Sequence, residues 1–408
     1  MRRLLPLLLI VGCKGNDGQK GEKAATWHGD VAKIAYDRCV SCHQEGQIAP
    51  FSMETYEDAS PWADLIAEQV SSRAMPPFAV DNGGHCEQFT DAAWLSDTEI
   101  ALFESWALDG GAEGKAPKSE YELPVVERLG EIDLSLDIGL DYTPTQTPDD
   151  YRCFIVDPEL TEDQFLTRYE VEPGNAETVH HVILYTLDTA ESEDLALGLE
   201  EVDGEPGYTC FGSSVVPDSR PIAAWAPGTP VTAFPEGTGV RLIAGRKLVL
   251  QVHYNTSTSS GPDRTQMHLD LEESVPSEAL VFMFADISME LEPGRSDVVA
   301  PFEFDLAGLG LPLGAYVRGV FPHMHLRGRT MKLEVVREQG TECLADVPAW
   351  DFNWQQLFFY ERSVYLFTHD TLRLTCTFDT SGDSDPVSWG DGTGDEMCLI
   401  GLFVTLTG

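Results

Sequence analysis

The chain has 408 residues, 42% of them hydrophobic, which is ample for packed cores and suggests two to three domains. Its 68 acidic side chains against 26 basic ones give a formal net charge of −42, and nucleic acid is excluded as a partner because a polyanion would be repelled. The acid excess reads as solvated loop, as over residues 188–194, and gives only a weak preference for cationic substrates.

At the start, Met1-Arg2-Arg3 is followed by an apolar run over residues 4–11 and by Gly12-Cys13. This resembles a bacterial lipoprotein signal with Cys13 as the lipidated first residue of the mature protein, Ile10 being its one departure; an ordinary cleaved signal with an incidental Cys13 is the alternative. The run is too short to span a bilayer, so the expected membrane contact is the lipid alone and the expected location is the bacterial cell envelope, periplasmic or on the outer-membrane face. The polar, glycine-rich stretch up to residue 24 reads as a tether.

Residues 25–118 are expected to form a small all-α domain and its linker. Val31, Ile34 and Ala35 recur at helical spacing and lead into Cys39-Val40-Ser41-Cys42-His43, the attachment pattern of a c-type heme with His43 as an axial ligand. A redox dithiol and half a zinc site are the alternatives. Trp62, Leu65, Ile66 and Val70 predict an amphipathic helix leading to Met75, a candidate second axial ligand; Met75 as packing, or His28 or His85 in its place, are the competing readings. Ser96 and Glu99 predict a capping box for a helix carrying Ile100, Phe103 and Ala107, which Gly110-Gly111 ends. The unit resembles a small cytochrome c domain, although Cys86 is unusual in one.

Beyond the linker around residues 114–118, alternation of period two with Gly, Pro and Asp clusters predicts antiparallel all-β sandwiches, with helical patterns nearly absent and a join near residues 274–277. His323 and His325 lie two apart on a predicted strand, share a face and can chelate one ion; a polar pair on a sheet face is the alternative. Met397 is a candidate further ligand, since a thioether beside imidazoles favours copper over zinc. His180, His181 and His253 suffice for a second site. In residues 247–255, Val249, Gln251 and His253 share one face, but adjacent His180 and His181 point to opposite faces unless the strand bends or lies at an edge. Cys86, Cys153, Cys210, Cys343, Cys376 and Cys398 are left to oxidise in an exported protein, with fifteen pairings open.

The segments HHVILY, LQVHYN, HMHLRG and GDEMC, in that order, resemble the copper type II ascorbate-dependent monooxygenases over roughly residues 120–408. The resemblance implies two jelly-roll-like domains, 119–275 and 276–408, each holding one of two copper ions. It implies an electron-transfer copper on His180, His181 and His253 and a catalytic copper on His323, His325 and Met397, open to dioxygen. It pairs Cys153 with Cys210 and Cys376 with Cys398, and leaves Cys86 and Cys343 unassigned. Gln251 and Tyr151 match positions near the electron route; a sheet polar residue and a core aromatic are their plainer readings. The implied activity is hydroxylation of a C–H bond of a small organic substrate by O2, with ascorbate or an envelope donor as reductant and the fused heme as relay. Peptide-hydroxylating members carry arginine, asparagine and tyrosine where this chain has Phe321, Leu399 and Gly401, so a smaller or more apolar molecule, such as an aryl amine, is expected. The rival reading is a non-catalytic heme and copper electron-transfer or copper-handling lipoprotein.

Overall fold

The structure is a computed structural model describing residues 24–408 apart from positions 48, 120, 126, 228, 230, 258, 310–313, 391–393 and 408. The expected signal, Cys13 and the tether up to residue 23 lie outside the described residues. Helical spacing of small and apolar residues makes the first unit: a π-helical turn Trp27–Val31 continued by Ala32–Arg38, then Tyr56–Ala59, Ala63–Ser71 and Asp97–Leu108. They close on a core of their own that includes Trp27, Val31, Ile66, Val70, Phe103 and Trp106. The capping box is made in both directions: the Glu99 N–H donates to Ser96 Oγ, and the Ser96 N–H donates to the Glu99 carboxylate at 2.7 Å. Of the expected amphipathic stripe, Ile66 and Val70 are buried, whereas Trp62 and Leu65 stay 43% and 41% exposed.

Residues 78–95 leave this helical core. Phe78, Val80 and Phe89 join the core of the last β unit, where the Asp81 N–H donates to Asp346 O at 2.7 Å and the Thr90 N–H to Phe359 O at 2.8 Å. A disulfide from Cys86 to Cys343 closes the same contact.

The rest is β-sandwich. Alternation is cleanest in Val298–Asp305 and Thr371–Phe378, where every second side chain turns inward or is the less exposed, as a half-buried strand requires. One five-stranded sheet runs Tyr208–Thr209, Asp149–Val156, Leu248–Asn255, Val179–Leu187, Ser219–Trp225. A four-stranded sheet runs Val298–Asp305, Thr371–Phe378, Gly328–Arg337, Gly340–Val347. Both are backed by a nine-stranded sheet, five of its strands lying before residue 273 and four after residue 276. The halves meet where Thr238–Leu242 pairs in parallel with Ser277–Ala285, so Phe359 and Phe403 from the later strands enter the earlier core.

One expectation is corrected. The acidic stretch 188–194 is not a loop throughout but begins a helix, Ala190–Asp203, capped by Thr189 and ended by Gly204 at φ +83°. Its Leu195, Leu197, Leu199 and Val202 are exposed and only Ser192 and Ala196 are buried, so there is no apolar stripe for periodicity to reveal. Disulfides Cys153–Cys210 and Cys376–Cys398 form as the resemblance implied.

Candidate functional site

Val179–Leu187 and Leu248–Asn255 pair antiparallel with His181 opposite His253. Regular alternation would turn His180 away, but the register slips between Val179 and His181, and such a bulge re-aims one side chain. Ring nitrogens of His180, His181 and His253 all come within 4.8 Å of one another. The His181 Nδ1 lies 3.4 Å from that of His180 and 3.3 Å from that of His253. The wholly buried His253 sets its Nε2 3.0 Å from Asp149 Oδ1, which places the proton on Nε2 and the lone pair on Nδ1. Tyr151 stacks on the same ring, centroids 3.9 Å apart and planes within 7°.

Burial lowers His180 to about 4, takes His181 well below the ordinary histidine range and lowers His253, with neighbouring imidazoles adding to the effect for the first two. The rings are therefore neutral at pH 7, the form that ligates metals. A neutral imidazole carries one N–H, so the His181 Nδ1 cannot satisfy both facing nitrogens by hydrogen bonding. One metal ion satisfies all three, and the donor set fits copper.

The second set is built where Gly314–His323 pairs with Leu399–Thr405. His323 Nδ1 is 2.6 Å from Gln355 Oε1 and His325 Nδ1 is 3.2 Å from Asp395 O, so each ring donates from Nδ1 and turns Nε2 into its lone-pair nitrogen. The ring centroids are 5.2 Å apart. Burial takes His323 down to about 3, with His325 and His180 contributing and Gln355 opposing. Met397, 5% exposed, precedes Cys398, whose bridge to Cys376 pins that end of the strand. Arg327 forks onto both Asp383 oxygens at 2.7 and 2.6 Å and donates to Gly394 O, tying the HMHLRG turn to the loop before Met397. Gly328 is required by close approach, because a Cβ there would lie 2.7 Å from Trp350 Cδ1.

His181 of the first set and all three of the second line a cavity of about 410 Å3, with Tyr151, His181 and Gln251 on one side and His323, His325 and Met397 on the other. The Gln251 side-chain amide donates to Ser213 O at 3.0 Å. Phe352 stacks on His180 at 4.9 Å and meets His325 edge-on at 5.8 Å. Trp350 on the same loop donates from Nε1 to His325 O at 3.1 Å. Sequence reasoning missed Asp149, Gln355, Phe352 and Glu396. Asp149 shares a strand face with Tyr151 and was findable by alternation; Phe352 and Gln355 sit on a loop with no periodic signal.

Cys39, Cys42 and His43 stand apart from this cavity, in the helical unit. The two cysteines are not disulfide-bonded, and His43 Nδ1 lies 2.9 Å from Phe51 O. Met75 follows the helix Ala63–Ser71, its N–H donating to Gln69 O. Residues on both sides of it in sequence, Arg73 and Pro77 among them, line a cavity of about 190 Å3 with Trp350, Asp351 and Trp354.

Glu396 has no exposed surface, and its carboxylate accepts from the N–H groups of His325, Arg327 and Met397 at 3.0, 2.6 and 3.1 Å. It thereby joins the segment of His323 and His325 to that of Met397. Burial pushes its carboxyl up to about 7 against the pull of these donors. Glu396→Ala leaves three amides without their acceptor at about 1–3 kcal/mol each when buried, so a loss on the order of 3 kcal/mol or more is expected. A drop of several degrees in thermal midpoint would register it; an unchanged midpoint would show that the carboxylate does not hold these segments.

Family comparison agrees with this geometry. Residues 140–260 match the model of the N-terminal domain of the copper type II ascorbate-dependent monooxygenases, and residues 306–403 match that of the C-terminal domain. The first stretch contains His180, His181 and His253, and the second contains His323, His325 and Met397. DBH-like monooxygenase protein 1 of Homo sapiens is 24% identical over 252 residues, covering 56% of this chain and 39% of that protein. Its namesake in Gallus gallus is 25% identical over 266 residues, covering 59% and 42%. Dopamine beta-hydroxylase of Canis lupus familiaris is 23% identical over 246 residues, covering 54% and 39%. The chain thus matches about 40% of the length of these relatives. Among solved structures, the infectious bursal disease virus VP2 subviral particle aligns at a TM-score of 0.16 with 10% identity over 69% of this chain and 81% of that one, too loose to carry an argument.

Proposed function

The chain belongs to the copper type II ascorbate-dependent monooxygenases, and from that premise we propose that it hydroxylates a C–H bond of a small organic substrate at the cavity between its two histidine sets. One oxygen atom of O2 enters the substrate as hydroxyl and the other leaves as water, two electrons and two protons coming from ascorbate or an equivalent donor. The observation that carries the reading is the facing of two histidine sets: His180, His181 and His253 gather ring nitrogens within 4.8 Å, His323 and His325 keep Nε2 as the lone-pair nitrogen, and His181, His323, His325 and Met397 line one cavity. Copper in these positions supplies one-electron redox chemistry toward dioxygen. The chain's own groups do the rest: Asp149 and Gln355 fix the proton on one nitrogen of His253 and His323, and a mainly apolar wall borders the site where the substrate would lie.

The test is oxygen uptake by the copper-loaded full chain with ascorbate. Uptake stimulated by aryl or alkyl substrates, with hydroxylated product, is expected. Copper retained without uptake for any of them would favour the rival reading, a copper-handling or electron-transfer lipoprotein.

For the helical unit, the proposal is a c-type heme on Cys39 and Cys42 with His43 as axial ligand and Met75 as the second, relaying electrons from an envelope donor. Four observations support it. The two cysteines of the motif remain unpaired while the other six described cysteines form disulfides. The Phe51 carbonyl takes the Nδ1 proton of His43, turning Nε2 outward as a ligand. Phe51 links His43 to Trp62, which with Leu65 leaves an apolar face uncovered. The turn around Met75 shares a cavity with the loop of Trp350 and Phe352, which touches both histidine sets. If heme is reduced anaerobically and oxygen and substrate are then added, its oxidation should keep pace with product. Heme that stays reduced while product accumulates would sink the relay. Acylation of Cys13 and a place in the cell envelope are proposed with it; among the described residues no helix is long and apolar enough to cross a membrane. Labelled palmitate incorporated by the full chain but not by Cys13→Ala is the expected result.

A further inference from the structure

The cavity also specifies what it takes, an inference that rests on the hydroxylase reading and narrows its substrate. Although 23% of the chain is charged, no Asp, Glu, Lys or Arg appears among the described residues lining the cavity. Its walls come from both sandwiches, with Ile183, Ile222 and Trp225 from one and Met283, Phe321 and Leu399 from the other.

Four polar side chains at the wall are committed to protein partners. The Ser219 hydroxyl donates to Val216 O at 2.8 Å and Trp225 Nε1 to Thr229 O at 3.1 Å. The Gln355 amide bridges His323 and Phe352 O, and that of Gln251 is bonded to Ser213 O.

One feature of the backbone builds the apolar floor beside His323. Gly401 pairs with Met283 on one side and with Phe321 on the other. A Cβ at Gly401 would lie 2.9 Å from Met283 Sδ and 3.0 Å from Phe321 Cβ, so the missing side chain is what lets these two close over the strand. The Phe321 ring then lies nearly parallel to that of His323, 6.2 Å away. An ammonium entering here would lose its water and find no carboxylate among the described lining residues, which is strongly unfavourable, and a carboxylate would find no basic side chain, only the copper that the hydroxylase reading places on the histidines. A hydrocarbon surface loses nothing by the same transfer and is favoured.

We propose that the substrate is a neutral, predominantly apolar molecule, aryl-alkyl or hydrocarbon in character, and not an amine, an amino acid or a peptide acid. The net charge of −42 does not alter this, since an exposed acidic surface concentrates cations near the protein without pairing them inside.

The test uses three molecules of similar size, propylbenzene, phenethylamine and phenylacetate, titrated calorimetrically into the copper-loaded full chain without reductant, so that no turnover occurs. Propylbenzene should bind at least tenfold more tightly than either ion at pH 7, with little dependence on salt. In Phe321→Asp or Leu399→Asp, whichever folds by circular dichroism, the preference should move toward phenethylamine by at least tenfold. Phenethylamine binding the unaltered protein as tightly as propylbenzene overturns the proposal, as does absence of propylbenzene binding. Binding is read without turnover, so selective binding with no oxygen uptake under ascorbate would reject the hydroxylase reading alone. Efficient hydroxylation of phenethylamine would reject the substrate class alone.

Discussion

Replacing His253 by alanine is expected to abolish hydroxylation while the copper of His323, His325 and Met397 stays bound. His253 is fully buried, and its Nδ1 lies 3.3 Å from the His181 nitrogen around which the three-histidine set converges. Its removal leaves two imidazoles, orphans the Asp149 carboxylate and opens a void beneath Tyr151, which stacks on its ring at 3.9 Å. Outer-shell partners of metal ligands are already worth about 10- to 100-fold, so loss of a ligand should lower turnover by more than about a hundredfold. Metal analysis of the purified variant should give about one copper per chain where the unaltered protein should give two. Copper falling to zero would argue against two sites that fill independently, and turnover within tenfold of the original would remove His253 from the electron path.

The same residues show how far the sequence could be read. Alternation put Gln251 and His253 on one face of their strand, and the structure keeps both toward the site. For His180 and His181 the sequence stated a condition, a bent strand, and the register slip before His181 meets it; a bulge depends on the partner strand and has no local signature. Cys86–Cys343 was beyond reach for a similar reason. The pair is separated by 257 residues and depends on residues 78–95 crossing from the helical unit to the last sandwich. The nine-stranded sheet shared between the two β units rests on one parallel edge, Thr238–Leu242 against Ser277–Ala285, and edge pairing is a tertiary choice that a two-residue period does not encode. Glu396 carried a faint signal, an acid placed directly before the apolar run Met397 to Val404; the three amides that need it are visible only once the HMHLRG turn has folded beside it.

Met397→Ala should likewise bring hydroxylation down by more than about a hundredfold, but with a different metal signature, since a ligand is worth more than the 10- to 100-fold of an outer-shell partner. His323 and His325 remain, each with its Nδ1 proton held by Gln355 or by Asp395 O, so the imidazole chelate survives and the oxidised protein should keep close to its full copper. What the proposed site loses is its soft donor. A thioether favours Cu(I) over Cu(II), so affinity for Cu(I) should fall more than affinity for Cu(II) and the reduction potential of this copper should drop. Met397 is also buried at 5% exposure, and truncating such a side chain costs about 2–5 kcal/mol on its own. A second variant separates packing from ligation: Met397→Leu keeps the volume at a cost below about 1.5 kcal/mol but has no sulfur. If Met397 acts through its sulfur, the leucine variant folds with a nearly unchanged midpoint and is as inactive as the alanine variant. If Met397 acts by filling space beneath His323 and His325, leucine restores turnover, and its role as a ligand is refuted.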